Sequence, residues 1–173
     1  SGKYPVESLK MMVEIAKQSE NTINYWGRFT SQNIPMIPSV GNAISHASCT
    51  TAMDLDARAI ISLTHAGKTA RLLSRFRPGC PIISTTVFPR VQRQLNLSWG
   101  VIPFLVPEVK NTDDLFETGI KCAYEAGFLS DGDLVVMTGG TPIGMSGTTN
   151  TIKVQTIGNA ITSGKGLPGE RST

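Results

Sequence analysis

Between residues 59 and 138, short apolar runs alternate with amphipathic stretches of helical spacing. This alternation constrains the fold more than any other feature of the chain. The runs Ala59-Ile60-Ile61-Ser62-Leu63, Pro81-Ile82-Ile83-Ser84-Thr85-Thr86-Val87, Val101-Ile102-Pro103-Phe104-Leu105-Val106 and Asp133-Leu134-Val135-Val136-Met137-Thr138 are strand-length and rich in β-branched residues. Helical patterns fall between them, near 68–76, 89–97 and 112–126, and a small-residue helix over about 41–56 comes first. Asn111 or Thr112 is placed to cap the helix at 112–126, Asp113 and Asp114 suit its first turn, and Gly127 suits its end. Strands joined by helix-sized segments run parallel, with right-handed crossovers. A last strand, Ile152-Lys153-Val154-Gln155, follows a connection too short for a crossover helix, so it is expected antiparallel at an edge. The expected fold is α/β: a three-layer α/β/α sandwich on a five-stranded, mostly parallel sheet with one antiparallel edge strand.

Pro5 occupies the first turn of a further amphipathic helix, in which Val6, Leu9, Met12, Val13, Ala16 and Ile23 recur to about Asn24. The stretch Asn33-Ile34-Pro35-Met36-Ile37-Pro38 cannot stay helical, because proline removes donors and biases its neighbours toward extended geometry. These signals divide the chain into a helix at 1–24, a connector at 25–40, an α/β domain at 41–156 and a tail at 157–173 that lacks periodicity. With 40% hydrophobic and 17% charged residues in 173, the composition suits one globular core. No apolar run approaches the ~20 residues that span a bilayer, and the N-terminus lacks a signal-peptide profile. Cys49, Cys80 and Cys122 are odd in number and without CxxC spacing, which fits reduced thiols in a cytoplasm and no metal site. A net charge of +3 is too small to imply a nucleic-acid partner. The basic residues do gather at Lys68, Arg71, Arg75, Arg77, Arg90 and Arg93, as a solvated helix face or a local anion site.

Gly67-Lys68-Thr69 matches the end of a nucleotide-binding phosphate loop, yet that pattern needs a glycine at the position of Ser62, which lies inside the first strand. What remains is Thr64, His65, Ala66, Gly67, Lys68 and Thr69, a short loop entering a helix near Thr69. Such a helix start attracts anions through its free N–H groups, with hydroxyls from Thr64 and Thr69 and a cation from Lys68. An ordinary strand-to-helix turn would also look like this. A second loop, at 139–149, carries Gly139, Gly140, Gly144 and Gly147 among Thr141, Ser146, Thr148 and Thr149. Both loops follow parallel strands, so both lie at the carboxyl edge of the sheet, where open α/β folds bind ligands. His46 is expected as a structural histidine, the cysteines as small hydrophobes, and Trp99 as a packing residue more than a stacking surface.

The stretches "NAISHASCTTAMDLDARAIISLTHAGKTARLLSRFRPGCPIISTT" and "GDLVVMTGGTPIGMSGTTNTIKV" resemble the carboxy-terminal domain of pyruvate kinase. "GKYPVESLKMMVEIAKQSE" resembles the last helix of that enzyme's catalytic barrel, which assigns 1–24 to it. The motifs are Thr-x-x-Gly-Lys-Thr after a strand, Phe76-Arg77-Pro78 after the next helix, and Ser-Gly-x-Thr-Asn before the last strand. The resemblance implies an allosteric effector-binding domain that helps assemble a homotetramer. The effector phosphate would sit on Thr64, His65, Ala66, Gly67, Lys68 and Thr69, with Thr141, Gly144, Ser146, Gly147 and Thr148 in the loop that folds over it.

The parent reaction, phosphoenolpyruvate and ADP to pyruvate and ATP in glycolysis, uses Mg²⁺ and K⁺ in the barrel. This chain is therefore expected to hold no catalytic residue, metal or cofactor of its own. Relatives that sense fructose 1,6-bisphosphate carry a basic residue near the start of the helix at 112–126, where this chain has Asp113, Asp114 and Glu117. AMP or a sugar monophosphate is therefore favoured over the bisphosphate. The alternatives are a small P-loop-like NTPase and a purely structural tetramerisation domain with empty loops.

Overall fold

The computed structural model describes residues 2–31, 37–109, 111–141 and 149–158. The chain separates into two compact units, Ser1–Asn33 and Ile34–Thr173. The first unit contains α1 (Pro5–Glu20) and α2 (Tyr25–Ser31). Pro5 starts α1, Glu7 lies in its first turn and Lys17 in its last, the arrangement that complements a helix dipole. In α2, the Gly27 amide donates to Asn24 Oδ1 at 2.8 Å, and the Trp26 and Phe29 rings stack at 6.3 Å. Neither helix buries a residue. α2 occupies part of the stretch expected as a connector, because Asn24 supplies a cap that the proline pattern further on does not reveal.

The second unit is built on one sheet. Its elements are α3 (Val40–Asp54), β1 (Ala59–Leu63), α4 (Lys68–Phe76), β2 (Ile82–Thr86), α5 (Pro89–Leu95), β3 (Val101–Leu105), α6 (Thr112–Glu125), β4 (Leu134–Gly140) and β5 (Thr149–Thr156). The strand order is β3-β2-β1-β4-β5, with β5 antiparallel to β4 and every other pair parallel. α3, α4 and α5 cover one face and α6 the other, as the sandwich expectation requires. Strand alternation sorts the core: Ile61, Leu63, Ile83, Val135 and Met137 face Phe116 and Ala123 of α6, while Ile60, Ile82 and Val136 turn to the opposite face. α6 packs close at Gly119, where a Cβ would stand 2.9 Å from Ile61 Cγ2. Among the described residues, no helix is long and apolar enough to cross a membrane.

Two boundaries differ from expectation. β4 runs on through Gly139 and Gly140, and β5 begins at Thr149 rather than at Ile152. The two glycines are therefore ladder residues and not loop. Gly139 lies so close to β1 that a Cβ there would stand 3.2 Å from Leu63 Cβ. Glycine shows no side chain to the period-2 pattern, so sequence alternation cannot detect its place in a strand.

The three cysteines are free thiols, with Cys49 buried and Cys80 and Cys122 half-buried. Burial, and secondarily the nearby Cys80, hold the Cys49 thiol far above its ordinary range. Burial also pushes Cys80 up to about 11, against backbone N–H donation from Cys80 itself and Ile60. The folded state keeps these protons where the unfolded chain, near 9.0, gives them up. Their contribution to stability is therefore complete below about pH 9; that of Cys80 is lost as pH rises through about 11, and that of Cys49 is still falling there. Urea midpoints should fall over that window more steeply for this chain than for a Cys49→Ala/Cys80→Ala variant. Parallel slopes would show that the thiols do not carry the effect.

Candidate functional site

From β1 the chain steps outward through β2 to β3, then returns through α6 to β4 on the other side of β1. The crossovers flanking β1 and β4 therefore leave on opposite faces. This reversal opens a crevice beyond the carboxyl ends of the two strands, the position at which open α/β sheets take ligands. Residues 64–67 leave β1 at that crevice, β4 ends there, and β5 starts there. The two segments meet directly: Thr69 Oγ1 and Thr149 Oγ1 share a buried hydrogen bond of 2.6 Å across 80 positions of sequence.

The loop after β1 is anchored by its carbonyls. Thr64, 8% exposed, extends the strand by donating its amide to the Thr85 carbonyl at 3.0 Å. The His65 carbonyl accepts from Thr86 Oγ1 at 3.3 Å, and the His65 ring stands edge-on to Phe88 with centroids 4.5 Å apart. The Ala66 carbonyl accepts from Arg71 Nη1 at 3.1 Å, and Arg71 Nη2 donates to Gln94 Oε1 of α5 at 3.4 Å. His65 and Ala66 are exposed at the rim.

Gly67 then adopts φ +78° as the N-cap of α4, where an added Cβ would stand 3.2 Å from each of Arg71, Val91 and Leu95. No side chain caps this helix start and its first turn holds no acid, while Lys68 is exposed at its first position. The leading amides have no partner within the helix itself, a geometric consequence of where it begins. Of the other helix starts at this edge, α5 likewise has no side-chain cap and no acid in its first turn, but it opens on Pro89, which has no N–H to offer. Both α3 and α6 are capped. Ser39 caps α3, accepting from the Asn42 amide at 3.2 Å. Asn111 caps α6, accepting from the Asp114 amide at 2.7 Å, and Asp113 pairs with Lys153 at 3.7 Å.

On the β4 side, the Thr141 amide and hydroxyl donate to Asn150 Oδ1 at 3.0 and 3.2 Å, and Asn150 Nδ2 donates to the Thr141 carbonyl at 2.7 Å. The ladder shifts here, pairing Gly139 with Thr151 and Gly140 with Thr149, so Asn150 is the bulged residue. Its amide replaces the backbone pairing lost at the bulge. The sequence shows Asn150 only as the last residue of the Ser-Gly-x-Thr-Asn motif and gives it no role, since a bulge has no signature of its own. Asn150→Ala should lower stability by about 1 kcal/mol, the ordinary net value of such bonds. Thermal unfolding measures it, and an unchanged midpoint would mean that the bulge closes without this side chain. Gly144, Ser146, Gly147 and Thr148 lie outside the described residues.

Other candidates fall away from the crevice. Ser62, where a nucleotide loop needs glycine, is fully buried in β1. Asp133 precedes β4 at the opposite edge, where Asp133 Oδ2 accepts from the Ser130 amide at 2.8 Å and lies 4.0 Å from Arg58. Trp99 precedes β3 at that same far edge; Arg77 stacks over its ring at 5.6 Å, and its carbonyl accepts from Ser74 Oγ at 2.7 Å. His46 packs edge-on to Phe76 at 5.2 Å.

The family model described as "Pyruvate kinase, alpha/beta domain" matches residues 42–155. The chain belongs to the pyruvate kinase family. It is 41% identical to a pyruvate kinase of Clostridium acetobutylicum over 91% of the chain and 33% of that protein. It is 44% identical to pyruvate kinase 2 of Synechocystis sp. over 96% of the chain and 27% of that protein. With a pyruvate kinase of Geobacillus stearothermophilus the identity is 35%, over 96% of the chain and 28% of that protein. The chain thus spans about a third or less of the curated relatives it matches, and its sheet unit is the pyruvate kinase α/β domain.

Proposed function

We propose that this chain is the regulatory domain of a pyruvate kinase and that its β1–α4 loop grips the phosphate of a small-molecule effector. The observation that carries this reading is the uncapped, acid-free start of α4 at the switch point, joined to the start of β5 through Thr69 and Thr149. The amides of Lys68 and Thr69 and the Lys68 ammonium supply donors and charge to a phosphate, and Thr64 and Thr69 add hydroxyls. Gly67 keeps the backbone open to close approach, and His65 and Ala66 form the rim. Thr141, Gly144, Ser146, Gly147 and Thr148 form the segment that closes over the bound molecule.

The effector in this reading is a monophosphate, AMP or a sugar monophosphate, in preference to fructose 1,6-bisphosphate. The helix start that a second phosphate would need, on α6, is already served by Asn111 and flanked by Asp113 and Asp114. Carboxylates there repel a second anion. The parent enzyme converts phosphoenolpyruvate and ADP to pyruvate and ATP in a barrel of which this chain holds at most the last helix, α1. Mg²⁺ and K⁺ serve that barrel. Among the described residues no three His, Cys, Asp or Glu side chains converge, and no step through an ion is assigned to them. The domain also contributes to the homotetramer of the parent.

Calorimetric titration with AMP, ribose 5-phosphate and fructose 1,6-bisphosphate tests the reading. One-site binding of AMP or ribose 5-phosphate, tighter than the bisphosphate, is the expected result. Tighter binding of the bisphosphate would overturn the monophosphate assignment, and no binding by any of the three would overturn the site.

A further inference from the structure

Residues 57–107 contain seven cationic side chains and no aspartate or glutamate, so this segment carries +7 while the rest of the chain carries −4. The fold concentrates that charge. Lys68, Arg71 and Arg75 recur on the exposed side of α4, and Arg90 and Arg93 are exposed on α5. The Arg71–Gln94 hydrogen bond sets the outer surfaces of the two helices side by side, and Arg90 lies one turn before Gln94. Gly67, within 3.2 Å of Val91 and Leu95 by its would-be Cβ, sets α5 against the β1–α4 loop. The cations therefore form one surface that ends at Lys68. On the opposite face at the same edge, α6 begins with Asp113 and Asp114.

We propose that the α4–α5 surface is an electrostatic approach that delivers the anionic effector to the β1–α4 loop from the α5 side. This rests on the reading of that loop as an anion site. Arg90 and Arg93 need not touch the bound molecule. A one-signed surface leading into a crevice raises the local concentration of oppositely charged ligand and its association rate. The acidic start of α6 repels the same ligand from the other face, so the field has a direction across the crevice. Charges that act over a distance raise the association rate and leave dissociation nearly unchanged, and salt screens them, with a Debye length of about 10 Å at 0.1 M.

The local potential can be read without any effector. In a Cys122→Ser background, a thiol introduced by Ala66→Cys is treated with an anionic and a cationic methanethiosulfonate, and the ratio of rates is referred to that of free cysteine. The anionic reagent should be favoured several-fold at low salt. Arg90→Gln/Arg93→Gln, or half-molar salt, should remove most of that preference, with the unfolding midpoint unchanged by these exposed substitutions. A ratio that ignores both would overturn the proposal.

In a second arm, stopped-flow mixing with AMP should give an association rate reduced several-fold by Arg90→Gln/Arg93→Gln at low salt, with unchanged dissociation. An unchanged association rate with AMP bound would also overturn the approach. Should AMP, ribose 5-phosphate and fructose 1,6-bisphosphate all fail to bind while the thiol ratio behaves as expected, the effector reading falls and the charged surface stands.

Discussion

Ile61→Ala will lower the unfolding free energy of the sheet unit by about 2–5 kcal/mol, the range for truncating a fully buried large aliphatic side chain. Ile61 sits at the centre of β1, paired with Ile83 on one side and Met137 on the other, with no exposed surface. Its Cγ2 is the atom nearest to Gly119, so the side chain fills the gap that the missing glycine side chain leaves under α6. Removing it opens a void bounded by the sheet and by a helix held at both ends, which cannot collapse freely. Chemical denaturation reads the loss. Tyr124→Ala, on the exposed side of α6, should change stability by less than about 0.5 kcal/mol. Comparable losses for the two variants would mean that α6 does not pack on the sheet as described.

Lys68→Ala will weaken binding of the monophosphate effector by about 1.5–3 kcal/mol, the value of a charged hydrogen bond, which is roughly ten- to a hundredfold in affinity. Lys68 is exposed at the first position of α4, so the substitution should leave the unfolding midpoint nearly unaltered. Lys68→Arg keeps the charge and should recover most of the affinity, though a planar guanidinium places that charge differently from an ammonium. An affinity indifferent to Lys68→Ala would mean that the ammonium does not face the ligand.

The architecture is largely legible in the sequence. β1 and β2 are buried along their whole length, and they stand out as short runs of aliphatic and β-branched residues bounded by turn residues, although Ser62, Ser84, Thr85 and Thr86 break the apolar pattern. Spacing alone separated the crossover helices from the strands, and it correctly placed the last strand antiparallel at an edge. What escaped notice lay where the side-chain period is silent. Gly139 and Gly140 carry no side chain to alternate, so β4 looked shorter than it is. α2 is a seven-residue helix containing a glycine, too short for a period to accumulate.

The sequence places both loops of the candidate site at one edge of the sheet, but not the contact that joins them. The β1–α4 loop declares itself through local chemistry, a glycine and a lysine at the entry to a helix. Its partner at Thr149 depends on a contact spanning 80 residues, which only the strand order brings together. Asn150 closes a motif visible in the sequence, but its role depends on a register shift that the motif does not reveal.

Two-dimensional ¹⁵N NMR of this chain during titration with AMP tests the central claim most directly, because it reads the amides themselves. The account predicts that the largest shifts fall on the backbone N–H groups of Lys68 and Thr69, with Asp113 and Asp114 at the start of α6 nearly still. Saturating shifts centred on α6, or an unmoved spectrum with AMP, ribose 5-phosphate and fructose 1,6-bisphosphate alike, would contradict it.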